Sequence, residues 1–221
     1  MKIWHISDTH GYHDLLKIPF GIDMVIHSGD CSNSRDPYTN ELEVKEFIRW
    51  YKSLSIKHKI YVAGNHDTSI EKGIVRKEDF EDIIYLENEY VDIENITIFG
   101  SPYTPTFNNW AFNKDRNKLH RLWKNAIYKP CDIIVTHGAP KGILDLSENR
   151  EGKLEFCGDK SLFNRVKELE PTYHLFGHIH NCGDIINTGL RTMCNSKTLF
   201  SNGSVVTDRK FGILTSNGNI L

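Results

Sequence analysis

Five short clusters in this 221-residue chain carry residues able to do chemistry: Asp8-Thr9-His10, Gly29-Asp30, Gly64-Asn65-His66-Asp67, Thr136-His137-Gly138 and Gly177-His178-Ile179-His180. Together they offer carboxylate oxygen, imidazole nitrogen and amide oxygen, with no sulfur. Such hard and borderline donors suit Mn, Fe, Zn or similar divalent ions rather than a thiolate zinc site. One Asp-x-His or Gly-His-x-His is a weak signal, because a lone histidine at a strand end is more often a hydrogen-bonded surface residue. Five clusters in one chain, each following a strand pattern, make accident a poor explanation.

The elements that must position them are legible as short apolar runs. Residues 2–6, 23–27, 59–63, 132–135 and 173–176 read as strands, and each ends in one of the clusters. In α/β sheets, ligands collect beyond the carboxyl ends of strands, so five loops can converge on one point. Residues two apart, such as Asp8 and His10, face opposite ways on a strand but can turn to one ion on a loop. Gly11, Gly29, Gly64, Gly138 and Gly177 permit such turns and a close backbone approach.

Helical periods separate the strands. One helix places Val44, Phe47, Ile48 and Tyr51 on one face, with Asn40 and Glu43 expected as its capping pair. A second buries Leu119, Leu122, Trp123 and Ala126. A third is capped by Asp159, turns Leu162, Phe163, Val166 and Leu169 inward, and stops near Pro171. Residues 91–93 and 97–99 read as a strand pair, and the tail as antiparallel strands with Asn202-Gly203 as a tight hairpin turn. The alternation predicts a layered α/β fold, and the length predicts one domain over residues 1–221.

The order D-x-H, G-D, G-N-H-[D/E], a lone H before G, and G-H-x-H resembles the calcineurin-like metallophosphoesterases, and every element is present between Asp8 and His180. The resemblance implies a four-layer αββα sandwich and two divalent metal ions, with manganese favoured and Fe, Zn, Ni or Co as alternatives. It implies that Asp8, His10 and His180 bind one metal, that Asn65, His137 and His178 bind the other, and that Asp30 bridges both. His66 would be a catalytic group facing the substrate phosphate, not a ligand. Two metals ~3.5–4 Å apart lower the pKa of a shared water and clamp phosphoryl oxygens. A metal-bridging hydroxide would attack, and His66 could donate a proton to the leaving oxygen. Asp67 is a second catalytic candidate that could orient the His66 imidazole; the competing reading is a solvated turn residue. Narrower segments, Gly100-Ser101-Pro102-Tyr103, Trp110-Ala111-Phe112-Asn113 and Thr136-His137-Gly138-Ala139-Pro140 with Gly142-Ile143-Leu144-Asp145, look like the metallophosphoesterase domain-containing subfamily. That group includes phosphodiesterases acting on cyclic nucleotides. The stretch between Asp145 and Asp159 is not matched to these segments, so the resemblance does not give the shape of one wall of the site.

The expected activity is therefore a metal-dependent phosphodiesterase acting on small nucleotide or cyclic nucleotide diesters. A nuclease or a Ser/Thr-type protein phosphatase is the alternative. A non-catalytic scaffold would be expected to lose ligands or His66, and all are present. A net charge of −2 argues against a large basic face for duplex DNA. Arg35 is a candidate phosphate anchor, against the simpler reading of a solvated loop arginine. In the aromatic loop from Tyr103 to Phe112, Tyr103 and Trp110 are the candidates for stacking a nucleobase. The remaining histidines at positions 5, 27, 58, 120 and 174 read as structural, and His13 as a surface-loop residue. Five cysteines without a C-x-x-C pair read as reduced thiols. No signal peptide is visible, and no apolar run approaches the ~20 residues a membrane span needs. The expectation is a cytoplasmic protein without membrane attachment.

Overall fold

The apolar runs form strands because β-branched and aromatic residues fill both faces of a sheet buried between layers. A computed structural model describes residues 1–149, 151–207 and 214–221. In chain order the strands are β1 (Ile3–Ile6), β2 (Met24–His27), β3 (His58–Tyr61), β4 (Ile84–Tyr85), β5 (Glu89–Ile93), β6 (Ile96–Ser101), β7 (Thr104–Pro105), β8 (Asn113–Lys114), β9 (Ile133–Thr136), β10 (Leu146–Glu148), β11 (Leu154–Phe156), β12 (Tyr173–Phe176), β13 (Gly189–Arg191), β14 (Leu199–Asn202) and β15 (Asn219–Ile220). The helices are α1 (Pro37–Ser53), α2 (Thr68–Glu71), α3 (Arg116–Ala126) and α4 (Lys160–Leu169).

Two sheets form the centre. One runs β15-β1-β2-β3-β4, with β1 to β4 parallel; the other runs β13-β14-β12-β9-β6-β5, with β14, β12, β9 and β6 parallel. Three apolar layers account for the stacking. Ile3, Met24, Ile26, Ile60, Val62, Ile98, Ile133, Val135 and Leu175 fill the space between the sheets. Val44, Phe47, Ile48 and Tyr51 of α1 pack on the outer face of the first sheet with Val25, Tyr61 and Ala63. Leu119 and Trp123 of α3 and Leu162 and Val166 of α4 pack on the second with Phe99, Ile134 and Phe176. The result is the expected αββα sandwich. No described helix is long and apolar enough to cross a membrane.

Four expectations need correction. Asn40 and Glu43 do not cap α1. The helix starts one turn earlier, where Asp36 accepts from the Thr39 amide at 2.8 Å ahead of Pro37. Asn40 is instead buried and donates to Ser32 Oγ, Ser34 O and the His66 carbonyl, while Glu43 accepts from the Asn33 and Ser34 amides. Asn202-Gly203 is not a hairpin. It carries the chain from β14 to the end of β1, where Ser7 N donates to Gly203 O at 2.9 Å and Gly203 N to Phe176 O at 2.9 Å. A Cβ on Gly203 would meet the His5 ring at 2.7 Å, so glycine is needed there for close approach. The tail strands also split: β14 is parallel to β12, while β13 pairs antiparallel with β14 and β15 antiparallel with β1. His13 is not on a surface loop; it is buried against Phe47 and Trp50.

Candidate metal centre

Each cluster leaves the carboxyl end of a parallel strand: Asp8 and His10 after β1, Asp30 after β2, Asn65 and His66 after β3, His137 after β9, His178 and His180 after β12. The turn is tight enough that the functional residues themselves adopt left-handed backbone, with φ of 55° at Asp8, 44° at His10, 59° at Asp30 and 70° at His178. Such strain concentrates at functional sites, held by the surrounding structure. The expected glycine turns divide into two kinds. Gly11 and Gly29 have positive φ, whereas Gly64 and Gly177 serve close approach. A Cβ on Gly64 would lie 2.2 Å from Asp30 Oδ1, and one on Gly177 would lie 2.0 Å from Ser7 Oγ.

The structure brings all seven expected ligands to one floor. Asp8, His10 and His180 form one group whose donor atoms lie within 4.8 Å of one another; Asp30, His137 and His178 form a second, and His10, Asp30 and His66 a third. Asn65 Oδ1 lies 3.0 Å from His137 Nε2. Asp30 Oδ2 is 3.3 Å from His137 Nε2 and 3.9 Å from His10 Nε2, so one carboxylate faces both sides.

Backbone carbonyls aim two of the imidazoles. His10 Nδ1 meets Ser32 O at 3.0 Å and His137 Nδ1 meets Ser28 O at 2.9 Å, which turns each Nε2 toward the floor. Burial opposes charge on His137, but Asp30 outweighs it and pushes the imidazole up to about 9. Its Nε2 faces two oxygens, a place for a cation, whether proton or metal. Burial likewise opposes ionisation of Asp8 and Asp30, yet the imidazoles around each hold both carboxyls below their ordinary range, led by His180 at Asp8 and His137 at Asp30. Burial lowers His178 to about 3, leaving it neutral and able to ligate. The donor set therefore fits divalent cations, with a bound cation able to replace the proton on His137: imidazole nitrogens, ionised carboxylates, one amide oxygen and no thiolate.

Asp67 neither lies in solvent nor touches the His66 ring. It is fully buried and accepts from Asp30 N, Gly64 N and Tyr61 OH on one oxygen, and from Ser32 N, Ser32 Oγ and Cys31 Sγ on the other. The carboxylate thus ties the Asp30 loop to the Asn65 loop. Burial and then the Asp30 charge push its pKa up, against the hydrogen bonds from Ser32 and Tyr61. His27 contributes as well as packs. Gly29 N donates to its Nδ1 at 3.1 Å, so its proton sits on Nε2, which donates to Thr9 Oγ1 at 3.0 Å. Ser204 was not legible as a site residue: its hydroxyl donates to Asp8 Oδ2 at 2.6 Å from 196 residues away.

A cleft of about 920 Å³ opens over Asp30, Asn65, His66, His178 and His180. One wall is the aromatic loop, with Pro105, Phe107 and Trp110; the other is the β10–β11 ribbon, with Ser147, Glu148, Glu155 and Phe156. The ribbon is the segment between Asp145 and Asp159. Asp145 pins its base by accepting from Gly142 N and Gly158 N. The expected substrate contacts are placed differently. Tyr103 is outside this lining: its ring meets Phe112 edge-on, lies under Lys114 Nζ, and its hydroxyl donates to Glu87 at 3.3 Å. Arg35 lays its guanidinium 3.8 Å over the Trp110 ring and is also outside the lining.

The calcineurin-like phosphoesterase family matches residues 1–182. The chain belongs to that family. Among curated calcineurin-like relatives, metallophosphoesterase domain-containing protein 1 of Homo sapiens is 32% identical over 228 residues, covering 91% of this chain and 65% of its own length. A UPF0046 protein of Caenorhabditis elegans is 29% identical over 215 residues, covering 89% of this chain and 69% of its own. The chain thus spans about two thirds of the length of these relatives. The crystal structure of phosphopantetheinyl hydrolase from Mycobacterium tuberculosis has the same fold, with a TM-score of 0.58 at 14% identity over 94% of this chain and 90% of that one. Family membership supports a metal-dependent phosphoester hydrolase.

Proposed function

We propose that this protein is a phosphodiesterase for small esters, nucleotide or cyclic nucleotide diesters among them, working at a site for two divalent cations. The observation that carries this reading is Asp30, one buried carboxylate facing both His10 and His137. Asp8, His10 and His180 would hold one cation and Asn65, His137 and His178 the other, with Asp30 shared. Manganese suits the mixed oxygen and nitrogen donors, with Fe, Zn, Ni and Co as alternatives. Bound divalent cations supply Lewis acidity to phosphoryl oxygens and make water a nucleophile near neutral pH.

The chain's own groups do the rest. His66 lines the cleft beside Asp30 and Asn65, where its imidazole would protonate the leaving oxygen. Phe107 and Phe156, half exposed on opposite walls, offer apolar faces to the organic part of the ester. The αββα sandwich is read as one domain, and its location as the cytoplasm.

The test is hydrolysis of bis(p-nitrophenyl) phosphate and of a panel of nucleotide diesters and monoesters. Exhaustive chelation should abolish turnover and Mn²⁺ should restore it. Asp30→Ala should lower kcat by at least about a hundredfold, since it removes a ligand from both sites. Full activity in protein shown metal-free by elemental analysis would overturn the reading.

A further inference from the structure

Trp110 was expected to stack on substrate, but its ring is already engaged. The His66 imidazole stacks on it with centroids 3.9 Å apart and an interplanar angle of 29°. The backbone of His66 is pinned: its N–H donates to Asp30 Oδ1 at 2.6 Å and its carbonyl accepts from Asn40 Nδ2 at 2.8 Å. Its side chain is held more loosely. Nδ1 meets Asn33 O at a long 3.4 Å, and the His10 ring touches it edge-on at 4.7 Å. A 3.4 Å contact orients a ring weakly, so the two side-chain torsions depend on the indole face.

Trp110 is itself registered to that place. The next residue, Ala111, donates from its amide to Asn65 O at 3.1 Å, the carbonyl just before His66. Phe112 donates to Glu71 Oε1 at 2.6 Å, and both Ala111 and Phe112 are buried in the outer core of the first sheet. Arg35, two residues after Asn33, rests on the same indole. Three loops therefore meet at one tryptophan.

We infer that Trp110 is the positioning residue of His66, holding the imidazole toward the leaving oxygen instead of recognising substrate. This rests on the reading of His66 as the proton donor. The step it serves is unchanged: the P–O bond to the leaving group breaks as the water oxygen bonds to phosphorus and gives up one proton to solvent, and the His66 proton goes to the departing oxygen and is replaced from solvent.

The test is a double-mutant cycle in the metal-loaded enzyme with methyl aryl phosphates of good (p-nitrophenol) and poor (phenol) leaving groups. Trp110→Ala should lower kcat by roughly tenfold more for the phenyl ester, with KM changed less than about twofold. Trp110→Phe should recover most of the loss, because a phenyl face still stacks. In the His66→Ala background, Trp110→Ala should cost almost nothing further. An equal loss in that background, or a rise in KM without a fall in kcat, would show Trp110 acting on substrate directly and overturn the inference. A second readout needs no turnover. Upfield ring-current shifts of the His66 ring protons in wild-type NMR spectra should vanish in Trp110→Ala. Their absence from the wild type overturns the inference whatever the activity. Their presence in a protein that hydrolyses no phosphoester upholds the stacking and defeats the phosphodiesterase reading alone.

Discussion

Asp67 and His66 are neighbours in the chain but serve different partners. The imidazole faces the cleft, while the carboxylate turns inward and gathers six donors from two loops and β3. An amide at this position would place an NH₂ donor against three of those donors. Asp67→Asn should therefore destabilise the protein by about 3 kcal/mol, as breaking a buried charged network does. Because the same carboxylate holds the Asp30 amide, metal affinity should fall by roughly 10–100-fold, the range for groups that orient ligands. Urea denaturation and a Mn²⁺ titration read the two effects separately. A loss of stability with unchanged metal affinity would mean that Asp67 braces the fold and not the site.

At the scale of elements, the site depends on how closely strand-end loops approach one another. Gly64 and Gly138 make a matched comparison, because neither has positive φ and each follows a strand. A Cβ on Gly64 meets Asp30 Oδ1 at 2.2 Å and the Asp30 amide at 2.4 Å, whereas on Gly138 its nearest neighbours stand at 3.3 Å. The Asp30 backbone cannot yield without moving its own carboxylate. Gly64→Ala should lose most of the rise in Tm that Mn²⁺ confers, and Gly138→Ala should keep it, with stability changed by about 1 kcal/mol. Thermal melts of both variants with and without Mn²⁺ decide this; equal metal-induced shifts would show that the loops can separate. The β10–β11 ribbon belongs to the same scale. It is only three residue pairs long, so an isolated ribbon of its kind is marginal in water. The hydrogen bonds of Asp145 and Asn187 at its base anchor it as a cleft wall.

Across the whole molecule, several histidines are buried without charge on the strands. Burial lowers both His5 and His174 to about 3 from an ordinary 6.5. His5 joins the two sheets, with Nδ1 2.7 Å from Ser201 Oγ and Nε2 2.9 Å from Ser28 Oγ. His174 bonds Thr136 Oγ1 through Nε2 at 2.9 Å; that hydroxyl donates to Gly138 O, so His174 is the donor and its buried Nδ1 has no partner. The folded-state pKa lies below the unfolded one, so the unfolded chain takes up protons first. Stability is thus full above pH 6.5 and falls as the pH drops from 6.5 toward 3, by about 1.4 kcal/mol per unit for each such histidine. Urea midpoints of the metal-free protein should fall steadily from pH 6 to pH 4. His174→Gln, which keeps a donor for Thr136, should reduce that slope by about one histidine's share; an unchanged slope would remove His174 from the account.

What the sequence determined by itself was local: strand runs, helix faces, the Asp159 cap and the donor types following each strand. Alternating side chains, turn residues and ligand chemistry act over a few neighbours, so they are written where they operate. The five clusters were legible for that reason; the choice of seven ligands within them, Asp8 to His180 without His66, is what the family resemblance implies, and the structure gathers those seven on one floor. The start of α1 was missed because Asn40 and Glu43 look like caps, while both turn back to the loop that leads into the helix, at Ser32 and Ser34, and Asn40 also reaches the His66 carbonyl on another loop. Asn202-Gly203 looks like a hairpin, yet the need for glycine is set by the His5 ring. Only the tertiary structure decided that Asp67 faces inward, that Ser204 holds Asp8, and that Trp110 lies against His66. These contacts join residues tens to nearly two hundred positions apart, and closing such loops depends on the packing of both sheets, which no local pattern contains.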